Sequence, residues 1–468
     1  MSEYNKPAIL LLINHGWTIR NFLLSDFYKE ILKSYKIILC TNLDSHDIRE
    51  LGFKARQVIK MLDFEPSWFH KRVLNRRATY HFLVSGADTH ALKLKRANFS
   101  RSGFHKIRVS FELFMIKTII NMVGSKFIFN VLDYLDSWFS RKNPNAKEYE
   151  KLFKKINPSL VFSTFSVMKE EHLPIYVAQK MRIKTAVNVC SWDNITSKGR
   201  LPSGCDNYIV WSNYMKQEII DSHESIDVEK IKATGTPQYD FKYKKELICS
   251  RDQYCKDYHI DGNNKIVLYA TCTQMPFEHL IVEGLIKRYL NGDFGDNITF
   301  LVRTHPQDDG TKYVDLKARY PKVIFQIPGL ASKGDTKILI SKLNDIEILV
   351  NTTFHSDVHI NVSSTMSLDA AVFDKPIINV KYDKNPENVP LSNGIYVYDY
   401  NHYKNILKFN AINIAENEDQ VVKFIESSIL NPSEKKEERK AMVNEVVGML
   451  DGKASFRIAK TIDDLIKT

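Results

Sequence analysis

A rhythm in the sequence constrains this chain more than any other feature. Short apolar, β-branched runs alternate with longer stretches of helical periodicity, the pattern of parallel α/β layers. In the first half these runs predict strands at Ala8–Ile13, Lys36–Thr41, Leu160–Thr164, Thr185–Val189, Tyr208–Trp211 and Ile231–Ala233. In the second half they predict strands at Lys265–Ala270, Ile298–Thr304, Val323–Ile327, Ile346–Val350, Pro376–Val380 and Gly394–Tyr398. The polar, mixed-charge stretch Lys242–Asn264 separates the two sets and marks a domain boundary. At 468 residues the chain exceeds what one hydrophobic core serves. The expected architecture is two Rossmann-like, doubly wound α/β domains facing a cleft, over 1–245 and 262–432, with C-terminal helices over 433–468.

Between about residues 67 and 155 the rhythm stops, which predicts a helical insertion in the N-terminal domain. Within it, Phe111–Phe139 reads as two helices packed against something apolar. A helical core is the expectation, and a membrane-facing surface the alternative. The chain carries a net charge of +11, and Phe69–Ser110 alone holds ten basic residues against the single acid Asp88. The rest of the sequence is thus nearly neutral. Such a window suits either a solvated helical face or attraction to an anionic membrane surface or polyanion. No nucleic-acid motif accompanies it, so nucleic acid is not an expected partner.

Several classes lose their support. Six cysteines show neither CxxC nor zinc spacing and read as reduced structural thiols. No apolar run reaches a membrane-spanning length, and the N-terminal run lacks a signal peptide's flanks. The expected location is therefore cytoplasmic, with peripheral attachment to the inner face of the cell membrane left open. There is no GxGxxG, no GxxxxGK[ST], no GxSxG elbow and no HExxH.

The segment Asn351–Asp383 carries the most chemistry. A strand ending at Val350, a loop and Ser363-Ser364-Thr365 are expected to lead into a helix over about Thr365–Phe373, stopped by Lys375-Pro376. Hydroxyls, unpaired N–H groups and a positive dipole at a helix start suit a phosphate. Asp369, one turn on, is placed to accept hydrogen bonds from ribose hydroxyls, or is simply a surface acid. The strand before it ends in Arg303-Thr304-His305-Pro306, which holds His305 at a carboxyl end facing the same cleft, about one sheet position away. A histidine there can serve a departing phosphate oxygen.

The His-Pro and Ser-Ser/Thr pair resembles bacterial GT-B transferases of surface-polysaccharide loci. Among these are the CDP-glycerol glycerophosphotransferases of teichoic acid synthesis and the GT-B sialyltransferases. The run SLDAAVFDKPIIN is similar to the donor-binding helix of GT-B glycosyltransferases. The resemblance implies a donor site of Arg303, His305, Ser363, Ser364, Thr365 and Asp369. It also implies that Asp369 holds the ribose. The sequence has no DxD triplet, so no metal or other cofactor is expected for the nucleotide-activated donor. Ser191-Trp192-Asp193-Asn194-Ile195-Thr196-Ser197-Lys198-Gly199 resembles the Trp-His-Gly-Thr…Lys…Gly segment of the glycerophosphotransferases, with Asp193 standing where they have their catalytic histidine. A carboxylate can take a hydroxyl proton. By itself, SWDNITS also reads as an Asx turn or helix cap.

Trp192, Asn194 and Lys198 become candidate acceptor contacts. His15, in Asn14-His15-Gly16 after the first strand, is a second candidate base or acceptor residue, with Gly16 free to adopt a positive φ. Thr234-Gly235-Thr236-Pro237-Gln238-Tyr239-Asp240 is similar to a TGxPxxD turn of this group and is expected to be architectural.

The main expectation is a metal-independent glycosyltransferase moving a sugar from a nucleotide donor to a cell-surface polysaccharide or lipid-linked glycan. The alternatives are a CDP-glycerol or CDP-ribitol phosphotransferase, a non-hydrolysing sugar-nucleotide epimerase, and a non-catalytic polyanion-binding protein.

Overall fold

The computed structural model describes residues 6–43, 47, 49, 51–53, 57–85, 103–273, 275–308, 311–328, 343–385 and 394–468. Among them, one compact unit comprises the chain up to Asp240 together with Gly448–Thr468, and a second runs from Phe241 to Val447.

The first unit is built on β1 (Ala8–Leu12), β2 (Lys36–Thr41), β3 (Val58–Lys60), β4 (Pro158–Ser163), β5 (Lys184–Asn188), β6 (Asn207–Val210) and β7 (Ile231–Ala233). All pairings are parallel, in the order β3-β2-β1-β4-β5-β6-β7. The second holds β8 (Lys265–Ala270), β9 (Ile298–Arg303), β10 (Ile324–Gln326), β11 (Val358–Asn361), β12 (Ile377–Val380) and β13 (Asn413–Ala415), also parallel, in the order β10-β9-β8-β11-β12-β13. Both sheets therefore wind outward from a central strand, return, and wind out the other way. The reversal falls between β1 and β4 in one and between β8 and β11 in the other, and ligands of such sheets bind at this switch point. Every residue of β1 is buried, as expected where helices cover both faces.

Two expected strands are helical. Ile346–Val350 lies inside a helix, Leu343–His355, and Gly394–Tyr398 forms a 3-10 helix, Gly394–Asp399. In the first, Ile346 and Val350 are buried four residues apart, the spacing of one helical face. The strand paired with β8 is instead β11, Val-His-Ile-Asn, whose polar residues hid it. His359 and Asn361 are buried there because Thr353 O bonds the imidazole at 3.1 Å and Ser364, Ser367 and Asn379 bond the amide.

The C-terminal helix Ala454–Lys467 packs Ile458, Ala459, Ile462 and Leu465 into the core beneath β1 and β2. The Thr234–Asp240 turn receives it. Asp240 accepts Ala454 N at 3.0 Å and Ser455 N at 2.7 Å, capping the helix, and Arg457 Nε bonds Thr234 O at 2.7 Å. Gly235 sits at φ +81 where an added Cβ would lie 3.0 Å from Ala454 Cβ, so glycine is required on both counts.

The insertion contains α1 (Trp68–Ser85), α2 (Gly103–Val123) and α3 (Ser125–Arg141). The helical core expected of Phe111–Phe139 is not what forms. α3 turns its polar side inward: Asp133, Asp136, Ser137 and Ser140 are buried, while Phe127, Tyr134 and Trp138 are exposed. Arg77 of α1 reaches Asp133 at 2.6 Å, Arg200 reaches it at 3.2 Å, and His70 meets Asp136 at 2.7 Å. Burial alone would raise the Asp133 pKa, but the two guanidiniums outweigh it and hold it below the ordinary carboxylate value. Arg77, one of the ten cations counted as a surface charge, is thus an interior residue. Lys93, Lys95, Arg96 and Arg101 lie outside the described residues.

Candidate functional site

In the second unit three neighbouring strands, β9, β8 and β11, deliver candidate residues to one carboxyl edge. His305 follows β9, Thr271 follows β8, and Ser363–Thr365 follow β11. His305 and the serines are two strand positions apart rather than one, about 10 Å at ordinary strand spacing, and the β8 end bridges the interval. Thr271 Oγ1 accepts His305 N at 2.9 Å, and His305 Nδ1 accepts Gln307 N at 3.0 Å. With Nδ1 an acceptor, the proton of the neutral ring sits on Nε2. Burial lowers the His305 pKa to about 4, so at neutral pH the imidazole is an uncharged donor through Nε2.

Ser363, Ser364 and Thr365 are half-buried at the switch point beside β8. Ser363 holds φ +36. Its N–H bonds Tyr398 Oη at 3.2 Å and its hydroxyl donates to Gly394 O at 3.1 Å. Ser364 N bonds Asn361 Oδ1 at 3.2 Å, and its hydroxyl accepts Met366 N at 3.3 Å. Thr365 is the N-cap residue, without a side-chain cap bond, of a seven-residue helix, Met366–Val372. So short a helix adds little dipole. The edge's capacity for an anion rests on hydroxyls and local N–H groups.

Two expected donor contacts are committed elsewhere. Asp369 is 7% exposed and paired with Lys242, whose Nζ lies 3.0 Å from its Oδ1 and 2.8 Å from its backbone oxygen. The ribose role expected of it gives way to anchoring of the Phe241–Tyr243 turn. Arg303 is likewise buried, bonding Asp345 at 2.9 Å and Gln326 at 3.3 Å, and does not present its charge to the edge. Lys242, Thr271 and Glu278 are the residues that sequence reasoning missed. Glu278, whose pKa burial raises to about 8, accepts Cys272 N and the hydroxyls of Tyr269 and Tyr313, fixing the loop after β8. Lys242 is 127 positions from Asp369, so no local pattern announces the pair.

In the first unit, His15 follows β1 at the switch point. Its ring packs edge-on to Phe165, just beyond β4, with centroids 5.1 Å apart. Nδ1 accepts Trp17 N at 3.3 Å, which leaves the proton on Nε2. Burial, then Arg20, then Lys198 lower its pKa to about 4. Such a ring is a poor base and a good donor. Gly16 is the first residue of a short helix, Gly16–Thr18, and does not take the positive φ allowed for it.

Two strands away, beyond β5, Asp193 is half-buried. Its Oδ2 accepts Ser197 Oγ at 2.8 Å and its Oδ1 accepts Asn194 Nδ2 at 3.2 Å. It stands at the start of the turn Asn194–Ser197 but makes no side-chain cap bond, so its carboxylate is oriented by side chains alone. Trp192 and Asn194 are 3% and 1% exposed and cannot offer a surface to an acceptor as expected. Asn194 instead orients Asp193 and accepts Ser191 N at 3.1 Å. Lys198 is exposed. Among the described residues, no group of three or more His, Cys, Asp or Glu is placed to hold a metal ion.

The family model of CDP-glycerol:poly(glycerophosphate) glycerophosphotransferase matches residues 181–464, well over half of the chain. The chain belongs to this family. The matched region takes in Asp193, His305 and Ser363–Asp369. No curated protein matches the chain significantly.

Solved structures similar to this family member include an S. aureus MnaA–UDP co-structure, with 12% identity, a TM-score of 0.54, and coverage of 99% of this chain and 98% of that one. UDP-GlcNAc 2-epimerase from Neisseria meningitidis bound to UDP-GlcNAc matches at 12% identity and TM-score 0.54, over 98% and 100%. The Methanocaldococcus jannaschii UDP-GlcNAc 2-epimerase matches at 12% and 0.52, over 98% and 99%. At such identities the likeness shows the GT-B type of fold alone.

Proposed function

We propose that this chain transfers a polyol phosphate, of the glycerol- or ribitol-phosphate kind, from a CDP-alcohol to a hydroxyl of a cell-envelope polymer. The family match over 181–464 carries this reading, and it displaces the sugar transfer expected from the motifs. In the reaction the acceptor oxygen attacks the phosphorus that bears the alcohol. A new P–O bond forms, the bond to the bridging oxygen breaks, and CMP leaves with the electron pair.

Each carboxyl edge, taken by itself, carries groups suited to one part of this chemistry. Asp193, oriented by Ser197 and Asn194, takes the acceptor proton and later releases it to water. His15 donates from Nε2 to the acceptor, and exposed Lys198 attracts the polymer's phosphates. His305 donates from Nε2 to the departing phosphate, and Ser364 adds a hydroxyl. Growing negative charge makes the leaving oxygen a better acceptor for the Nε2–H, so His305 binds the leaving group more strongly as the bond breaks.

The test uses CDP-glycerol labelled with ³²P in the phosphate attached to glycerol, with a poly(glycerophosphate) acceptor. Label entering the polymer with one CMP released per transfer is the expected result. Label confined to soluble nucleotide, while a nucleotide-sugar panel delivers sugar to an acceptor, would overturn the proposal.

A further inference from the structure

The inverted helix α3 has a consequence for where the protein works. Its exposed aromatic residues Phe127, Tyr134 and Trp138 follow one helical stripe, and Phe111, Phe114 and Met122 form another on α2, which packs against α3. Their exposures run from 42% to 72%, far beyond the scattered apolar residues of an ordinary surface. Around them stand exposed cations, among them Lys71, Arg72, Arg108, Lys117, Lys126 and Lys142. Arg72 covers the Trp68 ring at 4.2 Å and Lys142 the Trp138 ring at 5.0 Å. α1 contains no acid, and from 103 to 142 the only acids are Glu112, Asp133 and Asp136, the last two buried.

We propose that α2 and α3, flanked by α1, form a docking surface that lies in the headgroup region of an anionic lipid bilayer. This inference does not rest on the transfer reading. Aromatic residues inserting at the interface with cations against lipid phosphates is the arrangement an interfacial helix adopts. Among the described residues no single helix is long and apolar enough to cross a membrane. Ser110–Val123 and Ser125–Arg141 qualify by length and composition only together, and they bend by 109°. The inner side of α3 is held in the protein by the Asp133 and Asp136 ion pairs, so spanning would unmake them. A second copy is a poorer occupant: a two-fold contact would set cations against cations, whereas anionic headgroups neutralise them.

Flotation of the full chain with phosphatidylcholine vesicles, with and without about 30% phosphatidylglycerol, tests the proposal. The expected result is binding to the anionic vesicles, weakened by high salt, and reduced about tenfold in Phe114→Ser/Phe127→Ser/Trp138→Ser with an unchanged circular-dichroism melt. In the unmutated chain, brominated lipid should quench tryptophan fluorescence, and Trp68→Phe/Trp138→Phe should remove most of the quenching, since Trp192 and Trp211 are buried and Trp17, partly exposed, follows β1 outside the docking helices. Absence of flotation or of quenching overturns the proposal. So does a lipid-free dimer, seen by sedimentation, that the triple variant converts to monomer.

Discussion

The two sheets share one winding order, yet their carboxyl edges are chemically unlike. The edge after β1 and β5 carries a carboxylate, Asp193, and the cations Arg20 and Lys198, both of which depress the His15 pKa. At the edge after β9, β8 and β11, both nearby cations, Arg303 and Lys242, are spent on internal carboxylates, leaving a neutral imidazole and hydroxyls. The strand frame is the same, so the difference lies in the loops. In the reaction proposed above, one edge would activate a hydroxyl and the other receive a phosphate through neutral donors.

Substitutions at the edges break or sharpen this contrast. Asp193→Asn removes the proton acceptor proposed for the reaction and should lower turnover about 10³-fold, close to 4 kcal/mol, in a steady-state assay with donor affinity kept. Retained turnover would return the base role to His15. Asp369→Ala removes the carboxylate from the buried Lys242 pair and should cost about 3 kcal/mol of stability by chemical denaturation, as broken buried pairs do. Its donor KM should stay near the original, and a KM rise without destabilisation would restore the ribose role. His305→Ala should reduce turnover about 10²-fold with an unchanged melting temperature, and loss of KM alone would make it a mere binding residue.

The smallest effect expected on turnover is in its pH dependence. His305 and His15 have folded pKa values near 4, below the usual 6.5. Between pH 4 and 6.5 the unfolded chain therefore binds more protons, and the stability these neutral rings confer is full above 6.5 and lost as pH falls toward 4. For the free protein, kcat/KM should show no histidine inflection near 6.5, which a pH series would reveal directly.

Much of this was legible in the chain itself. Ten of the twelve expected strands form near their expected bounds, because fully buried parallel strands write themselves as apolar runs. His305 and Ser363–Ser364 reach the same edge because each follows a strand of one parallel sheet. What escaped were the three-residue strands β3 and β13, the strand β11, whose buried His359 and Asn361 bond flanking residues and Asn379, and the helix Leu343–His355, whose apolar run is too short to show its period.

The sequence by itself determined the layered architecture, the position of the helical insertion and which residues end on carboxyl edges, since these follow from local periodicity and strand direction. Only the tertiary structure decided which charges are free. Arg77, Arg303 and Asp369 read as surface or donor-site charges along the chain, but each is desolvated and matched to a partner tens of residues away, Asp369 to Lys242. Burial and pairing depend on the whole chain's packing, and no local pattern encodes them.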